Sequence, residues 1–238
     1  MIDCSKSHSR LWYTWAARGS VGIGVVVLLF PVALVLPLRW LAPPTTSFML
    51  QYWAAAESPR YHWTTWDEMS SHLSVAVIAA EDQKFFNHHG FDVESIRESL
   101  VQAWDGTRVR GASTISQQVS KNLFLWPGRS LVRKGLEAYF TIFIELLWSK
   151  RRILEIYLNV VEFGDGIYGV ATASDQFFDT VPALINAQQA ALLAAVLPNP
   201  KVLKVDQPSA YVRERETWIR SQMGQLGESM LLEGLDAP

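Results

Sequence analysis

Two acidic residues follow an apolar run in the segment EDQKFFNHHGFD, Glu81 to Asp92, where Glu81 and Asp82 come directly after VAVIAA. A carboxylate at the end of a buried helix loses hydration, its pKa rises, and it becomes suited to proton transfer near neutral pH. The same residues also read as a solvated helix end with a histidine pair at a turn. His88, His89, Asp82 and Asp92 match none of the common zinc spacings.

A second segment, GASTISQQVSKNLFLW from Gly111 to Trp126, crowds hydroxyls, amides and an ammonium together: Ser113, Thr114, Ser116, Gln117, Gln118, Lys121 and Asn122. Positions 114, 118 and 121 share a helix face. Such a face suits sugar hydroxyls and phosphate oxygens, although composition alone favours a capped polar helix. A third segment, Val132 to Asn159, begins with Arg133 and Lys134 and carries Lys150, Arg151 and Arg152 further on. Cations at a helix start oppose its dipole, so Arg133 and Lys134 are the pair more suited to an anionic ligand. The SKRR cluster reads as a charged helix end. Leu136, Phe140, Phe143 and Leu147 form a core stripe. Glu137 falls at the edge of that stripe, and Glu145 points away from it, toward solvent.

The elements that must hold these residues are helices. After Trp66 helix formers dominate, Gly and Pro punctuate, and no period-2 run of strand type appears. One helix runs through SVAVIAAEDQKFF to a turn at His89-Gly90, and a second follows Asp92. Ser113 and Thr114 cap a third that runs to about Leu125. Leu131 to about Tyr157 forms one long helix or two. Gly164, Gly166 and Gly169 mark a loop, and Pro182 to Leu197 is a last apolar helix. The expected class is therefore mainly α.

Ahead of this domain, Gly19 to Leu38 holds no charged residue and is flanked by Arg18 and Arg39. About twenty apolar residues cover a bilayer core. Lys6, Arg10 and Arg18 precede the run, so the N-terminus is expected in the cytoplasm and the long remainder outside. The expected division is a tail over 1–18, a transmembrane helix over 19–41, a greasy membrane-proximal connector over 42–65, and a catalytic domain over 66–238. The 238 residues carry a net charge of −2, which gives no bulk attraction to nucleic acid. The single cysteine, Cys4, cannot form an internal disulfide.

In order and spacing the three segments resemble the glycosyltransferase domain of the penicillin-binding proteins, most closely its stand-alone form, the monofunctional biosynthetic peptidoglycan transglycosylases. Glu81-Asp82, Phe85, His88, Gly90 and Asp92 match the first motif of that family. Gly111, Ser113-Thr114, Gln117-Gln118 and Lys121-Asn122 match the second. Arg133-Lys134, Glu137, Ser149-Lys150, Ile153-Leu154-Glu155, Tyr157-Leu158-Asn159 and Gly164 match the third and its continuation. The resemblance spans about Trp66 to Met223. No serine is followed three positions later by lysine, so the Ser-x-x-Lys transpeptidase nucleophile of the bifunctional relatives is missing.

The resemblance implies a lysozyme-like, two-lobed helical domain that polymerises lipid II into glycan strands with inversion, releasing the undecaprenyl pyrophosphate carrier. It implies Glu81 as the base, and Glu137 on the donor side, able to hold a divalent cation (Mg or Mn) through the pyrophosphate. Lys121, Arg133 and Lys134 would meet the pyrophosphate. Ser113, Thr114, Gln117 and Gln118 would orient sugar and phosphate. Asp82, Phe85, His88, Asn122 and Lys150 complete the expected substrate site. The implied partners are lipid II, the growing lipid-linked strand, the membrane, and other wall-synthesis or division proteins. The implied location is the bacterial inner membrane, single-pass, with the catalytic domain periplasmic or extracellular. A lytic hydrolase of the same fold and a non-catalytic membrane-tethered scaffold are the alternatives.

Overall fold

The computed structural model describes residues 22, 26–55, 58–104, 113–128 and 130–227. The chain divides into two compact units, Met1–Leu41 and Ala42–Pro238. In the first, residues 26–35 are helical (α1) and lead into a 3-10 turn at Pro37–Arg39. No helix among the described residues is long and apolar enough to cross a membrane. The expected span of 19–38 is only partly described, since residues 19–21 and 23–25, like the tail before them, lie outside the described set.

The second unit is helical, with one small sheet. Its helices are α2 (Ser47–Ala54), α3 (Ser71–Glu81), α4 (Val93–Trp104), α5 (Ile115–Phe124), α6 (Leu131–Leu147), α7 (Lys150–Val160), α8 (Val170–Phe178), α9 (Ala187–Val196) and α10 (Ala210–Leu226). The strands β1 (Arg60–Tyr61), β2 (Glu162–Gly164) and β3 (Ile167–Tyr168) form a sheet in the order β1-β3-β2. β3 runs parallel to β1 and antiparallel to β2. The glycine-marked loop thus contains a short hairpin with a bulge, too brief for a period-2 pattern to show.

Polar caps set most helix starts. Ser70 accepts the His72 N–H at α3, Ser130 accepts the Arg133 N–H at α6, and Ser149 accepts the Arg152 N–H at α7. At α5, Thr114 and Gln117 form a reciprocal capping box. The 131–157 stretch, open in sequence between one helix and two, is two: Trp148 and Ser149 are extended and Ser149 starts afresh. α3 is buried from Leu73 to Ala79 and stops at Glu81, earlier than expected, because Asp82 leaves helical geometry with φ −159°.

The buried stripe of α6 differs from the expected one. Glu137, Phe140, Thr141 and Ile144 face inward, while Leu136, Phe143 and Leu147 are only half-buried. The inward face is rotated by about one residue, or roughly 100°, and Glu137 sits at its centre instead of its edge.

α3, α9 and α10 pack pairwise, α5 packs against both α6 and α7, and α3 meets α7. The core is densest along α7, where Ile153, Leu154, Ile156, Tyr157 and Leu158 are fully buried. Residues 42–55 and 58–65 belong to this unit. Thr46 caps α2 by accepting the Met49 N–H at 3.1 Å. Gln51 donates to the Leu125 carbonyl at 3.3 Å, Tyr61 donates to the Pro43 carbonyl at 2.9 Å, and the Tyr52 ring meets Tyr168 edge-on.

Candidate active site

Glu81 ends α3, where the helix stops hiding its side chains, and its own side chain is 15% exposed. Its Oε2 accepts from the Gln118 amide at 2.9 Å. Its Oε1 accepts from the Arg215 guanidinium at 3.3 Å. The Gln118 amide cannot flip freely, because its Oε1 accepts from the Tyr157 hydroxyl at 3.2 Å. A fully buried tyrosine on α7 therefore fixes the glutamine on α5 that holds the glutamate on α3. Burial pushes the Glu81 carboxyl above its ordinary range; Gln118, Arg215 and Lys121 oppose that rise, and Asp82 adds to it. Tyr157, buried near the same carboxylates, is pushed well up and stays a neutral donor.

Lys121 lies one turn beyond Gln118 on α5, close enough to both Glu81 and Glu137 for each carboxylate to stabilise its charge. Its ammonium sits 5.6 Å from the centre of the Phe48 ring on α2, a cation–π contact. Burial, helped by Arg133 and Lys134, pulls the Lys121 ammonium below its ordinary range, while Glu137 and Glu81 resist.

Glu137 is almost fully enclosed, with its side chain 4% exposed. Arg133 donates to one carboxylate oxygen at 2.6 Å and Lys134 bonds the other. Lys134 also reaches Ser113 and the Gln117 side-chain oxygen, both at 3.3 Å. Cations at this helix start, odd against the dipole, thus converge on one acid and its neighbours. These side chains alone make no resident divalent-cation site. Both oxygens face cations, and no cluster of three acidic, histidine or cysteine side chains able to hold a metal occurs among the described residues.

The first motif serves mainly to build the wall behind Glu81. Asp82 is 4% exposed, and His88 Nε2 lies 2.9 Å from its Oδ1. Its Oδ2 accepts the Ile115 N–H at 3.0 Å, which ties the end of α3 to the start of α5. Gly90 donates its N–H to His88 Nδ1 at 3.1 Å. That assigns the ring proton to Nε2, where it donates to Asp82. Thr114 donates to the Gly90 carbonyl at 2.7 Å and accepts the Gln117 N–H at 3.3 Å. Gly90 has φ +85°, and a Cβ there would lie 2.7 Å from Thr141 Cγ2. Phe85 is fully buried and Asn122 nearly so.

Two sequence readings change. Glu145 is not solvated. Its side chain is 6% exposed, pairs with Lys150 at 2.9 Å and accepts from the Ser116 hydroxyl. Lys150, expected at the substrate, donates to the His88 carbonyl at 2.7 Å and sits 4.4 Å from the Phe85 ring centre. This buried pair props the 85–90 loop. Glu145→Leu should leave the Lys150 charge without its partner and lower stability by about 2–4 kcal/mol, a Tm fall of roughly 5–15 °C for a domain of this size. Calorimetry of the purified variant checks this, and an unchanged Tm would contradict the buried pairing.

The structure therefore brings together Glu81, Gln118, Lys121, Glu137, Arg133, Lys134, Gln117 and Ser113. It places Asp82, Phe85, His88, Thr114, Asn122 and Lys150 in the supporting wall. Gly111 lies outside the described residues. Sequence reasoning missed Arg215, which stands beyond the motifs on a helix of ordinary charged composition. It gave Tyr157 no role beyond the match to the third motif's continuation, and Phe48 none beyond the greasy connector.

The transglycosylase family model matches residues 49–224, which takes in most of α2. A biosynthetic peptidoglycan transglycosylase of Pseudomonas savastanoi pv. phaseolicola is 49% identical over 229 residues, covering 94% of this chain and 92% of the relative. One from Pseudomonas syringae pv. tomato is 52% identical over 209 residues, covering 85% and 89%. One from Shewanella oneidensis is 47% identical over 223 residues, covering 92% and 94%. With the family match running from α2 to α10, and relatives near half-identical along nearly the whole chain, this protein belongs to the transglycosylase family.

Proposed function

We propose that the chain polymerises lipid II by inverting β-1,4 transfer, with Glu81 as the base and the cations around Glu137 receiving the leaving pyrophosphate. The observation that carries this reading is Lys121, a half-sequestered cation between one carboxylate suited to accept a proton and another ringed by positive charge. The acceptor sugar's 4-hydroxyl oxygen attacks the donor's anomeric carbon in line. The bond from that carbon to the pyrophosphate oxygen breaks, and the lipid pyrophosphate leaves with the electron pair. Glu81 takes the hydroxyl proton. Each of its oxygens accepts one hydrogen bond and keeps a second lone pair for the substrate. Lys121, Arg133 and Lys134 stabilise the charge that builds on the leaving group. Gln117 and Ser113, both touching Lys134, are placed to orient it. The side chains around Glu137 alone make no resident cation site; a divalent cation arriving with the pyrophosphate would be held there by Glu137.

This reading places the site in a cleft between two lobes, the smaller beside the membrane. Exposed apolar residues support membrane proximity: Leu131, Val132, Ile142 and Leu146 on α6, and Leu50 and Trp53 on α2. The uncharged stretch of 19–38 supports a single anchor with the N-terminus in the cytoplasm. A periplasmic reporter fused after Pro238 should be active and a cytoplasmic one silent; the reverse pattern would refute the topology. The relatives' biosynthetic designation favours synthesis over hydrolysis.

The decisive assay incubates purified full-length chain with lipid-linked disaccharide-pentapeptide and scores polymer across pH. Glu81 must be deprotonated to act, so rate should rise with pH through its pKa, which lies above the ordinary 4.5. Lys121 must be protonated, so rate should fall through its pKa, which lies below the ordinary 10.5. The expected result is polymer with a bell-shaped profile whose limbs both lie inside those ordinary values. Absence of polymer, or an acidic limb at or below the ordinary glutamate value, would overturn the assignment.

A further inference from the structure

We propose that Arg215, on the C-terminal helix α10, is a positioning residue for Glu81: it holds the carboxylate's Oε1 and keeps the base charged in a site that otherwise disfavours charge. This rests on the reading of Glu81 as the base.

The geometry singles Arg215 out. α10 packs on both α3 and α9 and so forms part of the wall over the end of α3. From it the guanidinium reaches the Glu81 carboxylate at 3.3 Å and the Ala80 carbonyl at 3.5 Å. Its side chain is 20% exposed, so the pair is only partly screened by water. Its Nε–H is buried and finds no acceptor among the described residues. The guanidinium is thus seated for its contact with the end of α3, at the expense of its own hydrogen bonding.

The other groups facing Glu81 leave a distinct task for this arginine. Gln118 on α5 is a neutral donor, and the Tyr157 hydroxyl on α7 stays protonated behind it. Asp82, next in the chain, is a like charge. Helix α9, AQQAALLAAV, brings no charged side chain. The remaining cation, Lys121, is shared with Glu137 and weakened by Arg133 and Lys134. Arg215 is the positive group hydrogen-bonded to Glu81. A base with its Oε2 fixed by Gln118 and its Oε1 by Arg215 has its plane set, and the two lone pairs left free are aimed by that plane.

The role predicts a change in pH dependence that loss of packing would not produce. Removing the positive charge raises the Glu81 pKa further, so the acidic limb of the rate profile should move to higher pH. In Arg215→Gln, measured in the full chain with lipid-linked disaccharide-pentapeptide, turnover on the acidic side should fall on the order of tenfold, and the deficit should shrink as pH rises. Arg215→Lys keeps the charge and should leave the limb near its wild-type position. Should Arg215→Gln fail to fold by circular dichroism, Arg215→Met, which keeps an apolar stem, takes its place. A folded neutral variant whose acidic limb stays at the wild-type position overturns the proposal, as does an Arg215→Lys limb displaced as far as the neutral one. Glu81→Gln is run beside them: near-normal polymer from that variant would refute Glu81 as the base. An unshifted limb in Arg215→Gln, with Glu81→Gln inactive, would refute only the role of Arg215.

Discussion

Glu81→Gln should lower polymerisation turnover by about 10²- to 10⁴-fold, the range typical of a positioned acid–base group. The substitution is close to isosteric, and much of its hydrogen bonding survives. Glu81 Oε2 accepts from Gln118 and Oε1 from Arg215; an amide can keep one of these acceptor contacts through its oxygen. Lys121, Arg133 and Lys134 are untouched, so substrate binding should change little and the loss should appear in kcat. The acidic limb of the profile should vanish with the carboxylate that causes it. Neighbouring Asp82 cannot stand in, because its side chain is 4% exposed and its oxygens are bound to His88 and the Ile115 N–H. Glu155→Gln is the contrasting variant. Glu155 pairs with Arg152 and accepts the Trp66 N–H at 3.0 Å, so its loss should be read in Tm, with turnover per folded molecule nearly unchanged. Turnover is measured with lipid-linked disaccharide-pentapeptide on protein shown folded by circular dichroism. A folded Glu81→Gln protein with near-normal turnover would remove Glu81 as the base.

The residues proposed to do the chemistry were easier to read from sequence than the ones that hold them in place. Glu81 stood out as an acid directly after VAVIAA, open to either a desolvated carboxylate or a solvated helix end, and its side chain is 15% exposed. The helical class was legible because Gly and Pro punctuate runs of helix formers, and of the two caps read before α5 it is Thr114 that caps it. The inward face of α6 was misread because apolar residues occupy both its sides. Leu131, Ile142 and Leu146 are exposed although they are hydrophobic, so periodicity alone picked a stripe one residue away from the true one. Glu145 looked solvated, and Lys150, read as part of a charged helix end and by resemblance as a substrate contact, was not seen as its partner. The tertiary approach of the 85–90 loop and of Ser116 on α5 covers them, and five residues of spacing does not announce a pair across a helix break. Arg215 was hidden for want of any local signal. α10 lies beyond the last helix read from the sequence, and its contact with Glu81 spans more than a hundred residues of chain.

Lys121→Met should be the next most damaging change, lowering kcat by about 10²- to 10³-fold, the scale seen when a preorganised donor to a developing negative charge is removed. Methionine approximates the length and packing of the lysine stem, so the contact with Phe48 on α2 becomes an apolar one, while the positive charge is lost. Two effects follow in the same direction. The leaving pyrophosphate loses one of the three cations assigned to it, and Glu81 loses one of the charges that keep it ionised. The acidic limb should therefore move to higher pH in the methionine variant. The alkaline limb, assigned to Lys121 because burial pulls its pKa down, should disappear. Arg133 and Lys134 remain on Glu137, which is why some turnover should survive. Lys121→Arg separates charge from shape. It restores a cation that stays protonated at all accessible pH, so part of the rate should return and the alkaline limb should move out of range. A Lys121→Met protein that keeps both its turnover and its alkaline limb would show that the leaving group is stabilised elsewhere, with Arg133 and Lys134 as the residues to test.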